Sequence, residues 1–293
     1  MRPIVHVTGP LPGRVRAAVE ESFTLADGPE NVDGILSLLT TTVDAALLDR
    51  AGAQLRVVAN YGVGMDNVDL AAARERGVIV ANTPDVLTET TAELAIALTL
   101  ALLRRVAEGD RLLRRESRWS FSLEFMLGES LRGKTFGVIG PGRIGRATAR
   151  LAEALGAEPA FAGRGDDVDA LLRSADVVSL HCPLSAETFH LIDRAALECM
   201  RPSAVLVNTA RGQIVDERAL VAALRDRLIA GAALDVYEHE PTVPEELLSL
   251  ENVVLTPHLG SATRDTREAM GMLAVSALRV VLVDGGVPSN VVP

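Results

Sequence analysis

The run Gly137-Val138-Ile139-Gly140-Pro141-Gly142-Arg143-Ile144-Gly145 constrains this chain more than any other stretch. Thr135 to Ile139 reads as a short apolar strand. Arg146 to Leu155 continues as a helix, with apolar residues three and four apart. Three glycines at the join have separable tasks: Gly140 permits a tight turn, Gly142 lets backbone approach a pyrophosphate, and Gly145 lets helix and strand pack closely. The helix start directs N–H groups and partial positive charge at the same point. A glycine spacing of this kind is weak by itself, but between a strand and a helix it reads as a dinucleotide site. The rival reading is a strand–helix turn that holds no ligand.

Further apolar strands and amphipathic helices alternate along the chain, which predicts an α/β fold with parallel sheets. Before the glycine turn, strands are expected at Pro3–Thr8, Gly34–Leu39, Leu55–Ala59 and Val78–Ala81, with helices between them. The strand ending at Ala59 runs into Gly62-Val63-Gly64, a backbone anion site by composition, and Asp69 is a natural cap for the next helix. One long helix is expected from Thr88 to about Arg115, linking two domains; the single tryptophan, Trp119, follows in an irregular stretch. After the glycine turn the strand Glu158–Ala162 ends in Gly163-Arg164. An acidic residue at that place would bind ribose hydroxyls, whereas arginine accommodates a 2′-phosphate, so the sequence leans toward NADP over NAD. Asp166 and Asp167 follow closely and pull the other way.

A helix is expected within Thr188–Met200. Three later strands end in Asn208-Thr209-Ala210-Arg211-Gly212, in Asp235 to Pro241, and in Thr256-Pro257-His258-Leu259-Gly260-Ser261. They deliver Arg211, an acidic group and His258 to the carboxyl edge of one sheet, the edge at which open α/β sheets bind ligands. His6, His181, His190 and His239 read as structural or solvated.

Composition narrows the partners. At 293 residues two domains are the better prior, and 48% apolar content is enough for two cores. The net charge is −10, and although the positive charges are almost all arginine, with Lys134 the only lysine, no basic run stands out, which argues against nucleic acid. Leu94–Leu103 is the longest apolar stretch, too short for a membrane span, and the first residues lack a signal-peptide pattern. Cys182 and Cys199 have neither metal-ligand nor disulfide spacing, so a reduced cytoplasmic protein without a metal is expected.

Five patches together resemble the D-isomer-specific 2-hydroxyacid dehydrogenase family: Gly62 to Asp69, Gly137 to Gly145, Asn208 to Gly212, Asp235 to Pro241, and Thr256 to Ser261. The likeness covers nearly the whole chain. Thr83 to Leu94, Pro257 to Thr263 and Gly163-Arg164 are most similar to glyoxylate/hydroxypyruvate reductases. The resemblance implies a Rossmann-type doubly wound sheet, residues 94–261, and a smaller flavodoxin-like substrate domain built from 1–93 and 262–293, with a cleft between them. It implies reversible, NAD(P)-dependent reduction of a small 2-oxo acid to the D-2-hydroxy acid.

The same resemblance implies the residue roles. Arg211 would hold the substrate carboxylate and polarise the carbonyl. His258 would protonate the carbonyl oxygen, and Glu240 would hydrogen-bond His258 and favour its charged form. Glu238 is a rival for that carboxylate. The N–H groups of Val63 and Gly64 would grip the carboxylate of the substrate. Gly140, Gly142, Arg143, Ile144 and Gly145 would meet the pyrophosphate, with Gly163, Arg164, Pro183, Thr209, Asp235 and Gly260 completing the cofactor set and Asp235 meeting the carboxamide. A homodimer is implied, with contacts near Arg104–Leu131.

Departures from the family matter as well. The segment after Arg164 is short, so the sheet is expected to lack a peripheral strand. Pro141 removes one N–H from the glycine turn. Val63 stands where phosphite-oxidising relatives carry lysine, which argues against phosphite. Rival functions are a specialised 2-oxo acid reductase, a phosphoglycerate dehydrogenase-like oxidation, and a cofactor-sensing binding protein without turnover.

Overall fold

The computed structural model describes residues 2–292, and their backbone forms two compact units. One unit comprises Met1–Leu87 with Ser261–Pro293, and the other Thr88–Gly260.

The first unit runs β1 (Ile4–Val7), α1 (Gly13–Ser22), β2 (Thr24–Ala26), β3 (Gly34–Ser37), α2 (Ala45–Ala51), β4 (Val57–Asn60), α3 (Leu70–Glu75) and β5 (Ile79–Ala81). The strands pair in parallel in the order β2-β1-β3-β4-β5, a flavodoxin-like order. β3 and β4 are buried along their whole length, which is why they are apolar up to the buried Ser37 and Asn60 that close them. Val32, Ile35, Leu48, Val58 and Val80 form the core on one face. The long helix Arg264–Leu282 packs against β3, β4 and α1. A Cβ on its Gly271 would lie 2.4 Å from a Val15 methyl, so only glycine lets α1 and this helix approach so closely. Asp44 and Asp69 cap α2 and α3 by accepting the N–H groups of Leu47 and Ala72.

In the second unit the long helix expected from Thr88 to Arg115 is two helices, α4 (Thr88–Leu103) and α5 (Val106–Glu116). Arg105 takes a left-handed conformation (φ 54°) between them. The Leu103 carbonyl accepts the Glu129 N–H (2.8 Å), so the returning chain takes up the end of α4. Buried and exposed character divides at the same place: seven residues of α4 are buried, and none of α5.

The chain continues as β6 (Thr135–Ile139), α6 (Arg143–Ala154), β7 (Glu158–Ala162), α7 (Val168–Ser174), β8 (Val177–Leu180), α8 (Arg194–Cys199), β9 (Val205–Asn208), α9 (Glu217–Arg225), β10 (Gly231–Leu234), α10 (Glu245–Ser249) and β11 (Val253–Leu255). The helix expected across Thr188–Met200 shrinks to α8. Ile192 instead exchanges backbone hydrogen bonds with the segment 214–216, and Asp193 then caps the helix. The six strands are all parallel, in the order β7-β6-β8-β9-β10-β11. A Rossmann sheet of full width has a further strand outside the second one; here β7 is the edge. Both faces are covered. Phe136, Val138, Val205 and Val207 meet α4 and α6 on one side, and Leu180 and Leu206 join Leu172, Leu197 and Leu220 on the other. The order reverses between β6 and β8, which opens a crevice beyond their carboxyl ends.

Candidate active site

Gly140 sits at that crevice. Its φ is +89°, and a Cβ would lie 2.4 Å from the Cys182 nitrogen, so the turn admits no other residue without distortion. Gly145 is similarly confined, its would-be Cβ 2.5 Å from the Gly140 carbonyl oxygen. Gly142 differs. It is the N-cap of α6 with an ordinary φ of −76°, and a Cβ there would meet nothing within 4 Å. No protein contact demands glycine at this point, and the open space lies where α6 directs its first N–H groups. Open backbone at a helix start is a place that a phosphate can approach. Thr209 Oγ1 is buried at the end of β9 without a partner, a further polar atom suited to a bound cofactor. These residues fit a dinucleotide.

At the end of β7, the Arg164 side chain is 89% exposed, with Glu187 3.7 Å away. The two acids that follow are engaged locally: Asp166 Oδ2 accepts the Gly163 N–H (2.7 Å), and Asp167 caps α7 through the Ala170 N–H (2.9 Å). Pro183 is exposed after β8. Burial lowers His181 to about 4, so this imidazole stays neutral, with its Nε2 2.8 Å from Ser179 Oγ.

The turns after β9, β10 and β11 interlock. Arg211 is half-buried; its carbonyl accepts Asn208 Nδ2 (2.8 Å), and its own Nη1 donates to the Ala210 carbonyl (2.8 Å). Asp235 is fully buried, and its carboxylate accepts Thr256 Oγ1 (2.6 Å) and the N–H groups of Leu259 (2.7 Å) and Gly260 (2.8 Å). Burial still pushes its carboxyl upward against those donors. The Asp235 carbonyl accepts the His258 N–H (2.8 Å), and His258 is left-handed at φ 54°. One acidic residue therefore shapes the turn that presents His258.

His258 Nδ1 lies 2.8 Å from Glu240 Oε2. The other oxygen of Glu240 accepts the Tyr237 N–H (3.1 Å), and Tyr237 donates its hydroxyl to the Thr256 carbonyl (3.0 Å). Burial raises the Glu240 carboxyl. The His258 hydrogen bond and charge, the Tyr237 N–H and the Arg211 charge outweigh it and hold Glu240 below the ordinary carboxylate range. With Nδ1 committed to Glu240, Nε2 is the nitrogen left to exchange a proton. Glu238, the alternative carboxylate, is turned instead to His190 Nε2 (3.0 Å).

In the first unit, the loop after β4 is held from behind. The Gly62 carbonyl accepts the Thr83 N–H (3.0 Å), the Val63 carbonyl accepts Asn82 Nδ2 (3.0 Å), and the Gly64 carbonyl accepts Asn60 Nδ2 (2.9 Å). In a trans peptide the N–H points opposite to its C=O. The N–H groups of Val63, Gly64 and Met65 therefore each point away from the donor that holds the carbonyl of the same peptide. Thr83 Oγ1, at the back of this loop, is buried without a partner. Sequence reasoning does not single out Asn60, Asn82 or Tyr237; the available signal is a polar residue closing an apolar strand.

The family model described as D-isomer specific 2-hydroxyacid dehydrogenase, NAD binding domain, matches residues 96–260. This chain belongs to that family: it is a nicotinamide-dependent oxidoreductase that interconverts small 2-oxo acids and 2-hydroxy acids. It is 39% identical to a glyoxylate reductase of Thermococcus litoralis, the match covering 100% of this chain and 97% of the relative. The alignment runs over 323 positions, more than the chain's 293 residues, so gaps fall in this chain. Among solved structures, the NADPH-dependent glyoxylate/hydroxypyruvate reductase of Sinorhizobium meliloti, in complex with NADP and malonate, is 37% identical with a TM-score of 0.88, covering 100% of this chain and 97% of that one. A protein of Thermus thermophilus is 42% identical with a TM-score of 0.91, covering 99% of this chain and 100% of that one.

Proposed function

We propose that this enzyme reduces glyoxylate and hydroxypyruvate with a preference for NADPH, and that Arg211, Glu240 and His258 carry the reaction. The observation that carries this reading is the 2.8 Å contact of His258 Nδ1 with Glu240, which commits one ring nitrogen and leaves the other to the substrate. The bound nicotinamide supplies a hydride to the carbonyl carbon. His258 Nε2 donates the proton that the carbonyl oxygen gains, and recovers it in the reverse direction. Glu240 orients the ring through its contact with Nδ1. Arg211 binds the substrate carboxylate through its planar fork and polarises the carbonyl. In the first unit, the N–H groups of Val63 and Gly64 bind carboxylate, which gives that unit the role of substrate domain.

Gly140, Gly142, Arg143, Ile144 and Gly145 take the pyrophosphate, and Pro183, Thr209 and Gly260 line the cofactor. Asp235 already holds three donors, and an ionised carboxylate has about four acceptor positions, so one remains for the carboxamide. Gly163 and Arg164 take the adenosine end. The exposed guanidinium, with Asp166 and Asp167 engaged on backbone, supports NADP there.

A second copy of the chain covers the apolar surface of α5 and the segment after it, where Val106, Leu113, Trp119, Phe121, Leu123 and Leu127 are all exposed. Light scattering should give a dimer at micromolar concentration; a monomer contradicts this assignment. We place the enzyme in the cytoplasm, where free Cys182 and Cys199 stay reduced. No helix among the described residues is long and apolar enough to cross a membrane.

The test of function is loss of reduced nicotinamide absorbance with glyoxylate, hydroxypyruvate, pyruvate and phenylpyruvate, each with NADPH and NADH. Fast turnover of the first two with NADPH is expected. Turnover confined to phenylpyruvate would point to a specialised reductase, and tight cofactor binding without any turnover would point to a sensor.

A further inference from the structure

We infer that Asn82, pinned by Asn290, is a positioning residue that aims the Gly64 N–H at the substrate carboxylate. The inference rests on the reading that Val63 and Gly64 bind that carboxylate. The Val63 carbonyl and the Gly64 N–H belong to one peptide group, so whatever fixes the carbonyl fixes the N–H. Asn82 Nδ2 donates to that carbonyl at 3.0 Å. The flanking peptides are held by the Thr83 N–H and by Asn60, and Ser37 Oγ in turn donates to Asn60 Oδ1 at 2.9 Å. Of the three restraints, the central one comes from Asn82, a side chain on a different strand end.

Asn82 is itself fixed from far along the chain. Its N–H donates to the Asn290 carbonyl (3.2 Å), and its carbonyl accepts Asn290 Nδ2. Ala81 and Val291 form an antiparallel bridge beside this exchange, and the Val292 N–H donates to the Val80 carbonyl (2.8 Å). Asn290 is buried, so its amide is a committed part of the fold. A peptide group left without such a restraint can rotate, and a freely rotating N–H loses the preorganisation that makes an anion site tight.

The test is a set of substitutions read on substrate and cofactor separately. In the full-length protein, Asn82→Leu should raise KM for glyoxylate and Ki for oxamate, a non-reducible 2-oxo acid analogue, by about 3–10-fold, the value of one hydrogen bond. KM for NADPH should not change, and kcat should change less than KM. Asn82→Asp, the same size but with an acceptor facing the Val63 carbonyl, should have a larger effect. Asn290→Ala should have a smaller one in the same direction. Unchanged glyoxylate KM and oxamate Ki in Asn82→Asp and Asn290→Ala overturn the inference. So does a parallel loss of NADPH affinity, which marks a general loosening. If Asn82→Leu does not fold, the other two variants decide. Absence of glyoxylate turnover in the parent enzyme defeats the functional reading first, an outcome distinct from parent turnover with unaltered KM in the variants.

Discussion

The turns after β9, β10 and β11 and the loop after β4 reach similar ends by different means. The former present side chains: Arg211, Glu240 and His258, with Asn208 and Asp235 fixing backbone and the Tyr237 N–H holding the Glu240 carboxylate. The latter presents backbone, Val63 and Gly64, with Asn60, Asn82 and Thr83 fixing it from behind. Proton exchange at a carbonyl oxygen needs a titratable group, which only a side chain supplies. Holding a carboxylate needs only N–H dipoles aimed in one direction. A substitution in the first region should therefore act on the chemical step, and one behind the second on substrate affinity.

Arg211→Gln should break this division most visibly, because Arg211 serves both binding and polarisation. A loss of about 10³-fold in kcat/KM is expected, measured with glyoxylate at saturating NADPH. An effect below tenfold would remove Arg211 from the site. Glu240→Gln should lower kcat by about 10²-fold with little change in NADPH affinity, since it keeps the shape and removes the carboxylate that orients His258.

The electrostatics of Glu240 can be tested without catalysis. A carboxyl depressed in the folded state contributes its stabilisation above its ordinary value and loses it only as pH falls through the folded value. The Glu240–His258 contact should therefore survive acidification past 4.5, the ordinary value for this group. A carbon NMR titration of the Glu240 carboxyl with its midpoint above 4.5 would contradict this.

Arg164→Ser should raise KM for NADPH by about tenfold and leave NADH unaffected, as expected for one exposed phosphate contact. Equal changes for both cofactors would sink the 2′-phosphate role. The smallest effect concerns Cys182, whose thiol burial pushes up to about 11. At pH 8 it is a thiol, not a thiolate, so iodoacetamide should leave it unmodified and turnover unchanged. Rapid alkylation with loss of activity would show a more open crevice.

Much of the larger unit was legible in the sequence because its signals are local. The glycine turn, the strand ends at Thr209, Asp235 and Thr256, and the Glu-Pro and Pro-His pairs each sit within a few residues of the side chain they place. What escaped was set by distant partners. The break between α4 and α5 depends on Glu129 reaching back to Leu103, and α8 is shortened by pairing of Ile192 with Val215. The strand β2 and the helix α10, three and five residues long, are too short for periodicity to announce them. The Asn82–Asn290 exchange joins residues more than two hundred positions apart, which no reading of spacing reveals.

Whether His258, oriented by Glu240, performs the proton step is open to a single-turnover experiment. His258→Gln is loaded with NADPH, mixed with glyoxylate, and followed by nicotinamide absorbance beside the parent enzyme. NADPH affinity, measured by fluorescence titration, should be unchanged, and the reduction rate should fall by about 10³-fold. A His258→Gln variant that reduces glyoxylate within a few fold of the parent rate would contradict the assignment.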